Sequence, residues 1–172
     1  MVTYRMLFIL SIFFPIAISA KCQLTPDNEN VVGTQLAGDW KLDVNLTAQL
    51  CNDCLDWEVT SVSFTDNPSI VDMLSEEDCL WLNDGFGQLF MAGEMTFTME
   101  QETLTHPYVL TTWRGNPHIV YWRYDEERYD RERFNLMIAR AEDKNNDMLF
   151  VGGDFNDPDF IALTRKEIKN IY

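Results

Sequence analysis

The residues equipped for chemistry are four cysteines, two histidines and a set of acids. Cys51 and Cys54 form a Cys-x-x-Cys, the spacing of a dithiol redox motif and of half a zinc site. Redox work wants a helix after the pair, and none is evident there; a closed zinc site would have to recruit Cys22 and Cys79 as well. In an exported chain, two disulfides are the default for four cysteines. The three possible pairings stay open. Because Cys22, Cys51, Cys54 and Cys79 all precede residue 80, the bridges would staple the N-terminal segment and early strands, leaving the later strands to packing.

The other groups do not converge. His106 and His118 lie on different segments, each next to a proline and without a serine elbow. Glu76/Glu77 and Glu126/Glu127 are adjacent pairs, and strand neighbours face opposite ways, so paired-carboxylate catalysis is not indicated. Asp143-x-Asn145-x-Asp147, with Asp154 further on, has the oxygen spacing of a calcium loop, but Met148 stands where that loop needs glycine. It reads as a hairpin turn, and residues 154–159 read as a solvated acidic loop. No catalytic residue, metal or cofactor is assigned, and the chain is not read as an enzyme.

The elements that would hold these groups follow from composition and pattern. Residues 1–20 carry Arg5, the apolar run Met6 to Ile18, and small residues at Ala17, Ser19 and Ala20, the make-up of a secretory signal peptide. That run is shorter than a membrane span needs, so the expectation is a secreted protein with one domain over residues 21–172. With 28 acidic residues against 13 basic ones, the formal net charge is −15. Such a field repels phosphate backbones and anionic lipid, excluding nucleic acid and an anionic membrane surface as partners.

Residues 21 to 35 read as an irregular polar arm, with a short helical turn around Val31, Val32 and Leu36. From Asp39, the residues Trp40, Leu42, Val44 and Leu46 alternate with polar neighbours, which predicts a strand with one apolar face. Asn45-Leu46-Thr47 is an N-glycosylation sequon with Asn45 on the polar face. Trp57 to Thr65 predicts a second strand, with Val62 and Phe64 on one face and Trp57 and Val59 on the other. Ile70 to Leu74 suits a helical turn, Cys79 to Leu82 a short strand, and Asn83-Asp84-Gly85 a turn. Phe86 to Ala92, Glu94 to Met99, Leu104 to Arg114 and His118 to Tyr124 predict further strands, separated by Gly93, Glu100 to Glu102 and Gly115 to Pro117. The mixed-charge run Asp125 to Arg133 reads as a loop. Phe134 to Ala141, Asp147 to Gly153 and Phe160 to Lys166 complete a series of about eight to nine antiparallel strands. An all-β, up-and-down barrel closes such a series without an exposed edge.

Gly38-Asp39-Trp40 at the start and Arg165 near the end resemble the two termini of a lipocalin-type barrel, in the calycin superfamily. The strand–turn–strand rhythm from Phe134 resembles the late lipocalin strands. The resemblance implies that Gly38, Trp40 and Arg165 form the closed end, with the guanidinium over the indole. It also implies a secreted carrier of a small hydrophobic molecule. Only seven residues follow Arg165, so little or no C-terminal helix is expected.

Strand parity gives the inward sets as Val62 and Phe64; Met95, Phe97 and Met99; Val109, Thr111 and Trp113; and Phe134, Leu136 and Ile138. From these, Phe64, Phe97, Trp113, Phe134, Leu136 and Ile138 are the candidate ligand contacts. Arg114, Arg123 and Arg140 are candidates for contact with an anionic group wherever one faces inward. Two other functions stand beside the carrier: a protein-interaction or inhibitor barrel with a filled core, and an isomerase or thiol enzyme using Cys51 or Cys54.

Overall fold

The alternating segments form eight antiparallel strands in the computed structural model, which describes residues 21–25, 36–51, 53–125, 128–139, 147–152 and 159–165. For residues 57, 124–125, 128–130 and 134–139 only the backbone is described. Residues 1–20, expected to be a signal peptide, residues 26–35, residues 142–146, expected to be a turn, residues 154–158, Arg140 and the residues after Arg165 lie outside these ranges.

The strands are β1 (Gly38–Leu42), β2 (Val59–Phe64), β3 (Met91–Met99), β4 (Thr103–Trp113), β5 (Asn116–Asp125), β6 (Arg128–Ala139), β7 (Met148–Gly152) and β8 (Phe160–Arg165). Each pairs with the next, and β8 returns to β1, so the sheet closes as an all-β up-and-down barrel. Its floor is the end bearing Gly38, Phe64, Trp113 and Arg165; its mouth is the end bearing Leu42, Val59, Met99 and Asp125.

β1 is shorter than its alternation predicts. It ends at Leu42, and Val44–Leu50 is a helix, α1. The Asp43 carboxylate accepts a hydrogen bond from Leu46 N–H at 3.0 Å, so an N-cap overrides the alternating pattern. Asn45 therefore sits exposed on the first turn of α1 and not on a strand. A 3₁₀ turn (Asp53–Trp57) follows, and together they form a lid connecting the mouth ends of β1 and β2. The lid is tied to β8: Asp43 N–H donates to Ala162 C=O at 2.8 Å, and Ala162 N–H donates to the Thr47 hydroxyl at 2.9 Å. These bonds satisfy the edge of β8 where the short β1 no longer reaches.

Three further differences from the sequence pattern lie in the strands. A register shift between Val59 and Ser61 turns Val59 to the interior with Val62 and Phe64, the effect of one extra residue in a bulged strand. Gly93 interrupts nothing: β3 runs through it, and a Cβ there would overlap the Thr65 carbonyl. That close approach lets the Tyr108 hydroxyl donate to Thr65 C=O at 2.9 Å. Asp125 and Arg128 to Arg133, part of the run expected to be a loop, are strand, with β5 and β6 paired from His118↔Asn135 to Asp125↔Arg128.

A second layer lies outside the barrel. After α2 (Ile70–Met73), Cys79 to Gly85 belong to α3 (Glu76–Gly85), where the sequence pattern had suggested a strand and a turn. Its start is a reciprocal capping box between Ser75 and Asp78. Cys79 and Leu82 pack with Ala92, Val109, Val120 and Trp122, the outward residues of β3 to β5. Asp78 is 2% exposed; it accepts from Trp122 Nε1 at 3.0 Å and Arg131 Nε at 2.7 Å. Arg131 also pairs with Glu77 at 3.0 Å, so the helix is fixed to β5 and β6 by charge as well as by apolar contact.

The disulfides are Cys22–Cys79, which brings the N-terminal segment onto α3, and Cys51–Cys54, within the lid. Chain entropy makes the first worth about 4 kcal/mol and the second, closing a very short loop, about 2 kcal/mol. Replacing Cys22 and Cys79 with serine is accordingly expected to lower the urea midpoint about twice as far as replacing Cys51 and Cys54; equal shifts would contradict the loop-length argument. Asp78→Ala leaves Arg131 without its buried partner and is expected to cost about 3–5 kcal/mol in the same measurement, and a loss under about 1 kcal/mol would show that this network does not anchor α3.

Candidate functional site in the barrel mouth

Interior parity on each strand is set by which residues join the central cluster. Trp40, Met95, Tyr108, Leu110, Ile119 and Leu163 belong to it and are 0% exposed. A water-sized sphere reaches none of them, so these six side chains are enclosed by close-packed neighbours. Phe64 lies in this closed region, 2% exposed and edge-on to Tyr108 at 5.5 Å between ring centres.

The floor is built by the residues at the two ends of the barrel. Trp40 is the register partner of Arg165, whose guanidinium carbon lies 4.6 Å from the centre of the indole. The indole N–H donates to Leu36 C=O at 2.8 Å, and Arg165 Nη1 donates to Ala37 C=O at 3.2 Å. Gly38 holds φ +119°, and a Cβ there would press on Arg165 Nη1 at 3.3 Å. Asp147 faces Arg165 at 4.0 Å.

β4 has the opposite parity from the one the sequence suggested. Leu104, His106, Tyr108 and Leu110 share the inner face, while Val109 packs outward under α3. Trp113 consequently lies outside, beneath the guanidinium groups of Arg114 at 4.6 Å and Arg133 at 5.0 Å and against His118 at 5.6 Å. It is no interior contact. β3 keeps its expected parity, with Phe97 half-buried among Leu104, its register partner, His106 at 6.3 Å and Tyr121 at 6.5 Å between ring centres. On β6, Phe134, Leu136 and Ile138 are in register with the interior residues Ile119, Val151 and Leu149.

On β3 to β5 exposure rises towards the mouth, while Val59, Val151 and Ile161 stay buried near the same end of β2, β7 and β8. Leu104 is 40% exposed, Phe97 and Met99 are half-buried, and Arg123 continues the interior parity of Ile119 and Tyr121 as an exposed side chain. Across from Tyr121 on β6 stands Glu132, half-buried. The mouth thus combines an apolar patch with polar groups of both signs. Burial lowers the His106 pKa, and the nearby Arg123 charge lowers it further against a backbone hydrogen bond at Trp122; its ring is held neutral. Burial, reinforced by Glu132 and opposed by Arg123, pushes the Tyr121 phenol up to about 12. Both groups are therefore uncharged at neutral pH.

Of these residues, sequence reasoning singled out Phe97, Met99 and Arg123, weighed His106 only as a catalytic group, and missed Leu104, Tyr121 and Glu132. The inverted parity of β4 hid Leu104 and the placement of His106, and the loop reading of Asp125 to Arg133 hid Glu132. His106 and His118 stand on opposite faces of the sheet and form no set. Cys51, Cys54 and Asp159 place two sulfurs and a carboxylate within 4.8 Å, but the sulfurs are bonded to each other, so neither offers a thiolate for metal or for exchange chemistry. Outside the barrel, a groove of about 430 Å³ runs between the N-terminal segment and the end of α3, lined by Lys21, Gln23, Thr25, Asn83 and Gln88 among others. Its polar walls give an apolar molecule little to bury against.

A histidine whose pKa is depressed on folding contributes stability that is present above its unfolded value, near 6.5, and is lost as pH falls through the folded value. Wild-type protein is therefore expected to lose stability to urea between pH 7.5 and pH 5. His106→Phe keeps an aromatic ring and should lose measurably less over the same range. Equal losses would remove His106 from the acid response.

Compared with protein-family models, with curated proteins and with solved structures, the chain matches none of them.

Proposed function

We propose that this chain is an exported, lipocalin-like barrel that binds one small hydrophobic molecule in the upper part of its interior, without catalysis. The observation that carries the reading is the gradient inside the barrel. Side chains on the inner face are sealed at the floor and middle, yet Phe97, Met99 and Leu104 keep accessible apolar surface at the mouth. Accessible apolar surface on a concave wall is the ordinary setting for a small ligand. Covering about 200 Å² of ligand apolar surface contributes about 5 kcal/mol before association costs, which points to a weak or moderate binder. The polar end of the ligand would meet Arg123, Glu132 and the uncharged Tyr121 and His106.

The sealed floor also favours a second reading, an interaction or inhibitor barrel whose core is simply filled and whose loops do the recognising. The two readings differ at the mouth. Titration with the neutral apolar fluorophore N-phenyl-1-naphthylamine is expected to give saturable one-to-one binding. Leu104→Glu, at an already exposed position, should weaken it at least tenfold, and Phe97→Ala should do the same. Absence of saturable binding by the wild-type protein would overturn the carrier reading and leave the filled-core one.

A further inference from the structure

The sequon Asn45-Leu46-Thr47 lies on the lid, and its two polar ends meet opposite fates in the fold. Asn45 is exposed on the first turn of α1. Thr47, two residues on, is 0% exposed. Its hydroxyl accepts from Ala162 N–H at 2.9 Å and donates to Ala162 C=O at 3.4 Å. Asp43, just before the sequon, donates its N–H to the same carbonyl. N-glycosylation reads the hydroxyl at the third sequon position as well as the asparagine, and in the closed barrel that hydroxyl is committed to β8.

We propose that Asn45 is an N-glycan acceptor that can be modified only before β8 docks, and that the sugar then stands on the lid beside the mouth. In the transfer, the Asn45 amide nitrogen forms a bond to the anomeric carbon of a polyprenyl-diphosphate-linked oligosaccharide. The bond from that carbon to the diphosphate oxygen breaks, the lipid diphosphate departs with the electron pair, and the amide nitrogen gives up one proton. No redox change is involved.

The order of synthesis leaves time for this. Ala162 follows Thr47 by 115 residues, which at ribosomal speed is an interval on the order of ten seconds. Throughout that interval Thr47 has no β8 partner. Once the barrel closes, the exposed Asn45 side chain accommodates the sugar while Thr47 returns to its structural role. Asn67-Pro68-Ser69 offers no competing acceptor, because proline at the middle position blocks the sequon.

The test uses the full chain made in eukaryotic cells with a secretory pathway, and the same chain made without glycan. In cells, peptide-N-glycosidase should shift the wild-type protein, with the glycan mapped to Asn45 by mass spectrometry. Asn45→Gln and Thr47→Val should abolish the shift, and Thr47→Ser should retain it. In vitro, purified oligosaccharyltransferase with its lipid-linked donor should modify the urea-unfolded, reduced chain at least tenfold faster than the folded protein. A chain without sugar in the cells, or equal transfer to folded and unfolded protein, overturns the proposal.

Discussion

The seam between the first and last strands is the constraint on which the rest of the molecule depends. Without it the sheet would keep two open edges, each a row of unpaired backbone groups. The seam is short: three register pairs, from Trp40↔Arg165 to Leu42↔Leu163. Two devices compensate. At the floor, the stacked Arg165 and Trp40 side chains reinforce the pairing of their own backbones and cap two carbonyls of the preceding segment. Nearer the mouth, where β1 has ended, Asp43 and Thr47 serve the β8 edge as a strand would. Closure therefore combines backbone pairing, a cation–π contact and a side-chain hydroxyl acting in place of an amide partner.

The barrel wall is backed unevenly. On β3 to β5 both faces are buried, the inner one in the barrel core and the outer one under α2 and α3. Asp78 ties this second layer down by accepting from groups on two strands and on its own capping turn. A buried carboxylate is tolerable only when it is satisfied in this way. The mouth takes part of its polarity from the same strands, because Arg123 on β5 extends beyond the buried Tyr121 into surface that solvent reaches.

How far the sequence disclosed this depended on how many faces each strand buries. β1 and β3 could be read correctly for parity because Trp40 and Leu42, or Met95 and Phe97, alternate with polar residues. On β4 the run Tyr108-Val109-Leu110 is apolar on both faces, so alternation loses its meaning and the wrong face was assigned. Leu80 to Leu82 next to Cys79 is too short an apolar run to separate helix from strand by periodicity. The deciding signal was polar, Ser75-Glu76-Glu77-Asp78, a helix start. The same kind of signal at Asp43 ended β1 early. The extra residue near Thr60 turned Val59 inward, and nothing in composition marks such a bulge. The disulfide pairing needed the fold, because only α3 brings Cys79 to Cys22.

The backing by α3 gives the barrel a mechanical asymmetry. The wall formed by β3, β4 and β5 is a laminate of sheet, helix and disulfide, whereas among the described residues the outer sides of β1 and β2 present Lys41 and Thr60 to solvent with no second layer. Load applied at the mouth is resisted on one side by two plies and on the other by one. Among the described residues the stiffer wall is therefore the one fixed to α3, and the seam between β1 and β8 lies on the opposite, single-ply side.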